Sequence, residues 1–264
     1  MRKNQFFWGL VAIAAGVILL MQTMGILTAA FWPIFWAVML ILLGVWFLVG
    51  PRFARPSASE EKLSIPLGSE VDAEITLEHG AGRLEVHALE LTGSLLEGSF
   101  AGGVEHRQSV EGGTVHLQLQ PRRDAYIVPP FDGVNRLDWN LGLAREIPMK
   151  LLLKTGASEN NLELADLHIG HLKIETGASS TRVTLPAHAG FTRAEIISGA
   201  ASMEITIPVG VSASITVESG LSSLQIDPQR FPQSGNMYRS PDYDSAGNRV
   251  ELIIKSGVGS VVVA

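Results

Sequence analysis

The chain contains 264 residues, no cysteine and a formal net charge of −6. Without cysteine there is no disulfide, no thiolate metal site and no cysteine nucleophile. An acidic balance without clustered lysine or arginine also disfavours nucleic-acid binding, because that binding depends on neutralising phosphates.

The N-terminal region consists of two uncharged apolar stretches, residues 6–27 and 31–49. Each is close to the ~20 residues that a helix needs to cross ~30 Å of hydrocarbon. Because only residues 28–30 separate them, residues 1–50 are predicted to form a two-helix transmembrane hairpin. A secretory signal peptide is the alternative, but its apolar core would be shorter, about 7–15 residues. A second full-length apolar stretch argues against it.

Positive charges flank the predicted hairpin. Arg2 and Lys3 precede it, Arg52 and Arg55 follow it, and the joint between the two spans is uncharged. Because cytoplasmic flanks carry the excess of lysine and arginine, both termini and the β region are expected in the cytoplasm. An extracytoplasmic β region is the alternative, and a C-terminal topology reporter would distinguish the two.

A linker and a first β module are predicted next. Residues 51–62 contain proline, serine and mixed charges without sustained periodicity, which is typical of a linker. Residues 63–133 form the predicted N-terminal β module, in which residues 71–77 alternate between apolar and polar side chains as in a half-buried strand. Gly80 begins a glycine-rich turn between two such stretches.

Residues 134–264 carry a repeated phrase: alternating apolar residues, threonine or serine, glycine, then further alternating apolar residues. The repeated glycines lie 21, 22, 21 and 37 residues apart, at Gly156, Gly177, Gly199, Gly220 and Gly257. A regular period of this length indicates a solenoid-like array. The predicted fold is therefore mainly β, a stacked β-repeat domain after the membrane hairpin, with a β-sandwich as the alternative.

Each repeat is interpreted as two short strands joined by a turn. Glycine suits the turn because it adopts positive φ without a Cβ clash, which makes Gly80 and the five repeat glycines the predicted structural turn residues. A small hydroxyl residue precedes each repeat glycine, and stacking would bring these residues about 4.8 Å apart. Hydroxyl ladders are then expected between the repeats: Thr155, Thr176, Ser198, Ser219 and Ser256.

The longest spacing holds an insertion. Residues 227–248 are rich in proline and glycine and are predicted to form a loop before the last repeat. The chain then finishes on the apolar strand 256–264, which could add to the sheet edge of a neighbouring molecule. The alternative is that the 227–248 loop covers this edge.

No catalytic or metal-binding motif stands out. His168 and His171 would point to opposite faces of a strand, and no third ligand has suitable spacing. The segment from Asp242 resembles the opening of a calcium loop, but Ile253 stands where a bidentate glutamate is required. We expect no enzyme activity and no cofactor.

Two segments resemble known bacterial proteins. Residues 80–86, Gly-Ala-Gly-Arg-Leu-Glu-Val, resemble the N-terminal module of the toast-rack proteins. Residues 139–157, from Trp-Asn-Leu-Gly-Leu to Thr-Gly-Ala, are similar to the C-terminal domain of LiaF and toast-rack proteins. The apolar hairpin resembles the paired-span region of LiaF-like membrane proteins.

This resemblance implies a bacterial cell-envelope protein. Characterised LiaF-like proteins restrain, through protein contacts, a membrane histidine kinase that responds to cell-wall-active antibiotics. The expected function is therefore non-catalytic regulation of envelope stress signalling, with the lipid bilayer and a sensor kinase or another envelope protein as partners. The alternatives are a self-associating β scaffold, which would be a homo-oligomer, and an extracytoplasmic adhesin or ligand-binding module.

Overall fold

The computed structural model describes residues 36–37, 39–41, 60–91, 93–122 and 137–264. The first two groups are helical, and most of the predicted hairpin and linker lies outside the described residues. Within the described part of the chain, no helix is both long enough and apolar enough to span a membrane. The chain divides into two compact units, Met1–Arg55 with Pro130–Asp132, and Pro56–Pro129 with Gly133–Ala264.

The second unit is built from β-strands, which confirms the mainly β part of the predicted fold class. Its strands are β1 Glu60–Pro66, β2 Asp72–Ala88, β3 Ser94–Ala101, β4 Val104–Glu111, β5 Thr114–Pro121, β6 Trp139–Leu143, β7 Met149–Glu163, β8 Ile169–Thr184, β9 Phe191–Thr206, β10 Ser212–Ile226, β11 Gln233–Ser234, β12 Met237–Arg239 and β13 Arg249–Val263. They all belong to one sheet. This sheet includes strands on both sides of the boundary predicted at residue 133, because β2 pairs with β7.

Six long strands form the central stack, in the order β2-β7-β8-β9-β13-β10. Every neighbouring pair in this stack is parallel. The register places equivalent repeat positions side by side, for example Thr155 beside Thr176 and Thr176 beside Ser198. Each repeat in the sequence therefore corresponds to one strand of the stack. The parallel pairing also differs from that of a β-sandwich built from antiparallel hairpins.

Each long strand must fold back on itself. β7 ends at Glu163, and β8 begins at Ile169 beside Met149, the first residue of β7. Six Cα–Cα steps of about 3.8 Å reach at most about 23 Å, whereas a straight strand of this length would end about 46 Å from its start. The two halves of each strand therefore form two layers, and the apolar core lies between them.

The bend falls at the repeat glycine. The pairing of β7 with β8 includes Thr155 and Ala157 but omits Gly156. Buried side chains occupy alternate positions up to Thr155 and resume one position out of phase at Ser158. The corner thus turns the polypeptide so that both halves direct alternate side chains into the same core.

The reason for glycine differs from the one expected from the sequence. Each unit is one bent strand, and none of six corner glycines has positive φ: Gly80, Gly156, Gly177, Gly199, Gly220 and Gly257. The corners instead lie very close to one another. A Cβ added to Gly257 would lie 2.6 Å from the carbonyl oxygen of Gly199, and one on Gly220 would lie 2.8 Å from that of Gly257. Close backbone approach therefore requires glycine here.

The last repeat does not occupy the end of the stack. β13 inserts between β9 and β10 and pairs with both along its whole length. The prediction that the C-terminal strand could offer a free edge is therefore wrong. The predicted 227–248 loop contains the β11–β12 hairpin, which pairs with residues 214–216 of β10. This insertion covers part of β10, whereas β13 is enclosed by β9 and β10.

The N-terminal end of the stack is closed by additional strands. The first half of β2 pairs with β5, which pairs with β4. The second half of β2 pairs with β6, followed by β3 and β1. Inside this cap, Trp139 is 1% exposed and packs edge-on against Phe100, with ring centroids 5.0 Å apart.

Candidate interaction surface

His168 and His171 lie three residues apart in the sequence but contact different parts of the structure. The described residues include no group of three or more histidine, cysteine, aspartate or glutamate side chains arranged to hold a metal ion. His168 Nδ1 lies 2.6 Å from the carbonyl oxygen of Arg145, and His171 is exposed on β8. These two histidines therefore do not form one site.

Asp242 belongs to a turn that holds the insertion against the stack. Its carboxylate accepts a 2.7 Å hydrogen bond from Ser212 Oγ, and its carbonyl oxygen accepts one from the backbone N–H of Ser245 at 3.0 Å. Ser240 and Ala213 form two hydrogen bonds. The Ser240 N–H donates to the Ala213 carbonyl oxygen, and the Ala213 N–H donates to Ser240 Oγ. These contacts explain the aspartate-rich sequence as turn structure.

The buried corner positions carry a polar row across the stack. Thr155 Oγ1 donates to Thr176 Oγ1 at 3.0 Å, and Ser198 Oγ donates to Ser256 Oγ at 3.2 Å. Asn160 Nδ2 donates to Thr181 Oγ1 at 2.9 Å on the other side of the corner. The ladder expected from the sequence is therefore present in part: it joins Thr155 to Thr176 and Ser198 to Ser256, where it satisfies hydroxyl groups that would otherwise be costly to bury, whereas Ser219 is exposed.

His79 occupies the same row at the closed end, beside Thr155. Its Nε2 lies 2.6 Å from the carbonyl oxygen of Leu137, and its ring lies 5.2 Å from that of Trp139. Burial lowers the pKa of His79, although its hydrogen bond to Leu137 and the charge of Asp138 oppose that shift. The lowered pKa therefore favours the neutral form of the His79 imidazole, which packs within the N-terminal cap.

The outer surface before the corners, here called the charged face, carries paired charges. Lys255 Nζ lies 3.0 Å from Glu195 Oε1, and Lys173 Nζ lies 2.7 Å from Glu175 Oε1. Hydrogen bonding to Lys255 lowers the pKa of Glu195, and the reciprocal bond raises the pKa of Lys255. Opposite charges therefore lie beside one another on this face, both within β8 and between the bent strands, here called rungs, of β9 and β13.

The outer surface after the corners, here called the serine face, is much less charged towards β10. One row runs through Ala178, Ala200, Val258 and Leu221, and the next runs through serines in the paired registers: Ser180, Ser202, Ser260 and Ser223. Farther from the corner, Arg182 Nε donates to Glu204 Oε2 at 3.1 Å. Beside the glycine corners, this face is therefore composed of alanine, serine and aliphatic side chains.

The serine face ends at an incomplete rung. The corner hydroxyl residues are buried in four successive strands, with exposures of 9, 7, 6 and 5% for Thr155, Thr176, Ser198 and Ser256. The equivalent Ser219 of β10 is exposed, and Leu224 and Ile226 are only half-buried. Sequence reasoning missed this site because β10 precedes β13 in the chain and carries the same repeat pattern as the enclosed rungs.

Comparisons with known proteins agree with this architecture. Residues 54–206 match the family model described as the N-terminal domain of toast_rack, DUF2154, and residues 1–58 match the model of the LiaF transmembrane domain. No curated protein matches the sequence.

Two solved structures were also compared with the chain. A proposed cell adhesion protein from Clostridium sporogenes superimposes with a TM-score of 0.69 and 20% identity, covering 78% of this chain and 99% of that chain. This likeness shows the shared fold alone. A proposed adhesin from Bacteroides fragilis covers 79% of this chain and 99% of its own, but its TM-score of 0.32 and identity of 9% carry no argument.

Proposed function

The chain belongs to the toast-rack family and carries a LiaF-type transmembrane domain, and from this premise we propose that it is a membrane-anchored, non-catalytic regulator. In this proposal it contacts a membrane sensor kinase and adjusts the response to cell-envelope stress. Residues 1–50 form the two-span anchor, and the β unit acts on the cytoplasmic side.

One combination of features supports this proposal. A LiaF-type transmembrane domain is joined to a stacked β unit whose described surface includes an exposed strand edge. Stacked repeats of this kind commonly provide extended binding surfaces. A protein that is anchored beside other membrane proteins also meets them at high effective concentration, because tethering converts association into a local event.

The partner can be tested in the intact membrane. The full chain would be expressed at its natural level with an affinity tag, cross-linked in living cells and purified from solubilised membranes. We expect enrichment of one sensor histidine kinase over a control tag placed on an unrelated two-span protein, together with altered kinase output after deletion of the gene. Absence of any kinase from the cross-linked products, with unchanged envelope-stress signalling, would contradict the proposal.

A second candidate is an extracytoplasmic adhesion module, because the Clostridium sporogenes structure with this fold is described as that of a cell adhesion protein. The two candidates require opposite orientations. Alkaline phosphatase and a cytoplasmic fluorescent protein, each fused after Ala264, would separate them. Cytoplasmic fluorescence without phosphatase activity supports the regulator, whereas phosphatase activity supports the adhesion module.

A further inference from the structure

The outer edges of the sheet are not equally protected. Among the strands that the structure describes, β1 presents Glu60, Glu61 and Lys62, and β4 is exposed along most of its length and charged. The outer strand β11 has only two residues. Short edges and charged side chains are the usual defences against unwanted strand pairing.

The second half of β10 lacks these defences. No charged residue occurs between Glu218 and Asp227, and in the described sheet this half pairs only with β13, on one side. Alternate backbone N–H and C=O groups along an edge strand point away from the sheet and remain available to another strand. Leu221 is also 83% exposed at this edge.

The core beneath this edge is only partly covered. The residues equivalent to Leu224 are Asn160, Thr181, Met203 and Val261, which are 1, 3, 2 and 1% exposed. Leu224 itself is half-buried, as is Ile226. One more strand would give these two side chains the cover that their equivalents already have.

The insertion limits what can supply that strand. The β11–β12 hairpin occupies the next position beside residues 214–216, in the layer before the corner. Phe231 is fully buried there, and Arg230 donates to the carbonyl oxygens of Ile207, Pro208 and Val211. A second copy continuing the stack would need both layers free, whereas a single extended strand needs only the open half of β10.

We propose that residues 218–226 of β10 form a docking strand that binds an extended peptide segment of a partner protein by strand addition. Main-chain hydrogen bonds supply the affinity, and alternate side chains supply the selectivity. This inference rests on the proposed function in one respect only, since it identifies the surface through which the regulator would engage its protein partner.

The open rung specifies the chemistry of the bound segment. Ser222, Leu224 and Ile226 alternate towards the core, so the incoming strand presents a small or polar residue followed by two aliphatic residues at alternate positions. Charged residues are excluded from those inward positions because burying an unpaired charge is costly. Proline is excluded wherever its missing N–H would face β10.

A rung of the protein itself provides a defined probe. A fluorescent peptide copying residues 196–207 carries Ala201, Met203 and Ile205 at the inward positions equivalent to Ser222, Leu224 and Ile226. Its affinity would be measured by fluorescence anisotropy on the full chain in lipid nanodiscs. The same peptide with Met203→Pro and Glu204→Pro is the probe control, because adjacent residues direct their N–H groups to opposite sides and one of the two must face β10.

Two matched variants locate the binding surface. The edge variant combines Leu221→Lys with Ser223→Lys, and the control variant combines Ala200→Lys with Ser202→Lys, the equivalent exposed positions on enclosed β9. Both variants add the same charge to the serine face at the same distance from the corner. Only the edge variant places lysines where a new strand would pair.

We expect the edge variant to bind the probe at least about tenfold more weakly, and the control variant to remain within about threefold of the wild type. Absence of probe binding, or equal weakening in both variants, would overturn the inference. So would a dimer of the full chain that dissociates only in the edge variant, because the edge would then bind a second copy.

The kinase cross-linking experiment separates this inference from the proposed function. Loss of the captured kinase in the edge variant alone supports both. Equal capture by the two lysine variants would leave the regulator proposal standing and overturn the docking strand as its contact. If the wild-type chain captures no kinase while the edge variant selectively loses the probe, the regulator proposal fails and the docking strand is retained.

Discussion

The two ends of the stack differ in how completely they are closed. At the N-terminal end, both halves of β2 have an additional strand beside them, and Trp139 and Phe100 fill the core below. At the C-terminal end, the β11–β12 hairpin covers only one half of β10. Terminal repeats of a solenoid normally need such caps. Among the strands that the structure describes, the contrast identifies the second half of β10 as the sheet edge without charged side chains or a short outer strand.

Truncating a core residue at each end should show the largest difference. Trp139→Ala removes a side chain that is 1% exposed and should destabilise the β unit by about 3–5 kcal/mol. Leu224→Ala removes a half-buried side chain and should cost about 1 kcal/mol or less. Hydrogen exchange of the full chain, followed by mass spectrometry, would measure both losses strand by strand. Similar costs would show that the end at β10 is as well covered as the other.

The corner glycines should show the same asymmetry on a smaller scale. A Cβ on Gly156 would collide with the carbonyl oxygen of Gly80, and β7 is held between two paired strands. Gly156→Ala should therefore cost about 1–3 kcal/mol. Gly220→Ala meets the carbonyl oxygen of Gly257 at 2.8 Å, but β10 can move outwards at this end.

Thermal unfolding of the two alanine variants, followed by circular dichroism in matched micelles, measures the difference. Gly220→Ala should retain a transition closer to that of the wild type. A larger loss for Gly220→Ala than for Gly156→Ala would contradict the view that the last strand is free to adjust.

The hydroxyl row gives a third, smaller comparison. Thr155→Val removes a buried hydroxyl that contacts Thr176 and leaves partners unpaired, so it should cost about 1–2 kcal/mol. Ser219→Ala changes an exposed hydroxyl and should stay within about 0.5 kcal/mol. Urea unfolding of the two variants at one detergent concentration would test this. Equal destabilisation would mean that Ser219 is buried by a contact at the β10 edge.

The sequence predicted the repeat but not the order of the rungs. Alternating residues around Gly156 and Gly177 identify stacked units because side-chain period and repeat length are local properties. Every repeat offers a similar pairing edge, so nothing local requires β13 to lie between β9 and β10. That placement depends on the tertiary path of residues 227–248, and the docking strand is exposed only as a result of it.

The same restriction to local sequence patterns explains why the sequence predicted the wrong reason for the repeat glycines. Thr-Gly and Ser-Gly pairs suggest a turn with positive φ, yet the observed corners need glycine because neighbouring backbones approach closely. The corner backbones approach one another only between neighbouring rungs, so the sequence of a single repeat does not indicate this contact. The repeat glycines could therefore be located from the sequence, while their physical requirement appeared only in the assembled stack.

The smallest difference between the ends should appear in acid. Burial lowers the pKa of His79 below its ordinary value of 6.5, so the folded protein binds the proton less readily than the unfolded chain. The contribution of neutral His79 is complete above pH 6.5 and is lost progressively as the pH falls from that value towards the lower folded pKa. At the equivalent position in the next rung, Thr155 cannot titrate.

This pH dependence should be confined to the closed end. Hydrogen exchange at about pH 7 and pH 5, corrected for the intrinsic exchange rate, should show β2 and β6 losing protection relative to β10. His79→Gln retains a donor for the Leu137 carbonyl oxygen but removes the titration, so it should reduce this selective loss. An undiminished loss in His79→Gln would assign the acid sensitivity to another group and leave the neutral imidazole as a packing element of the N-terminal cap.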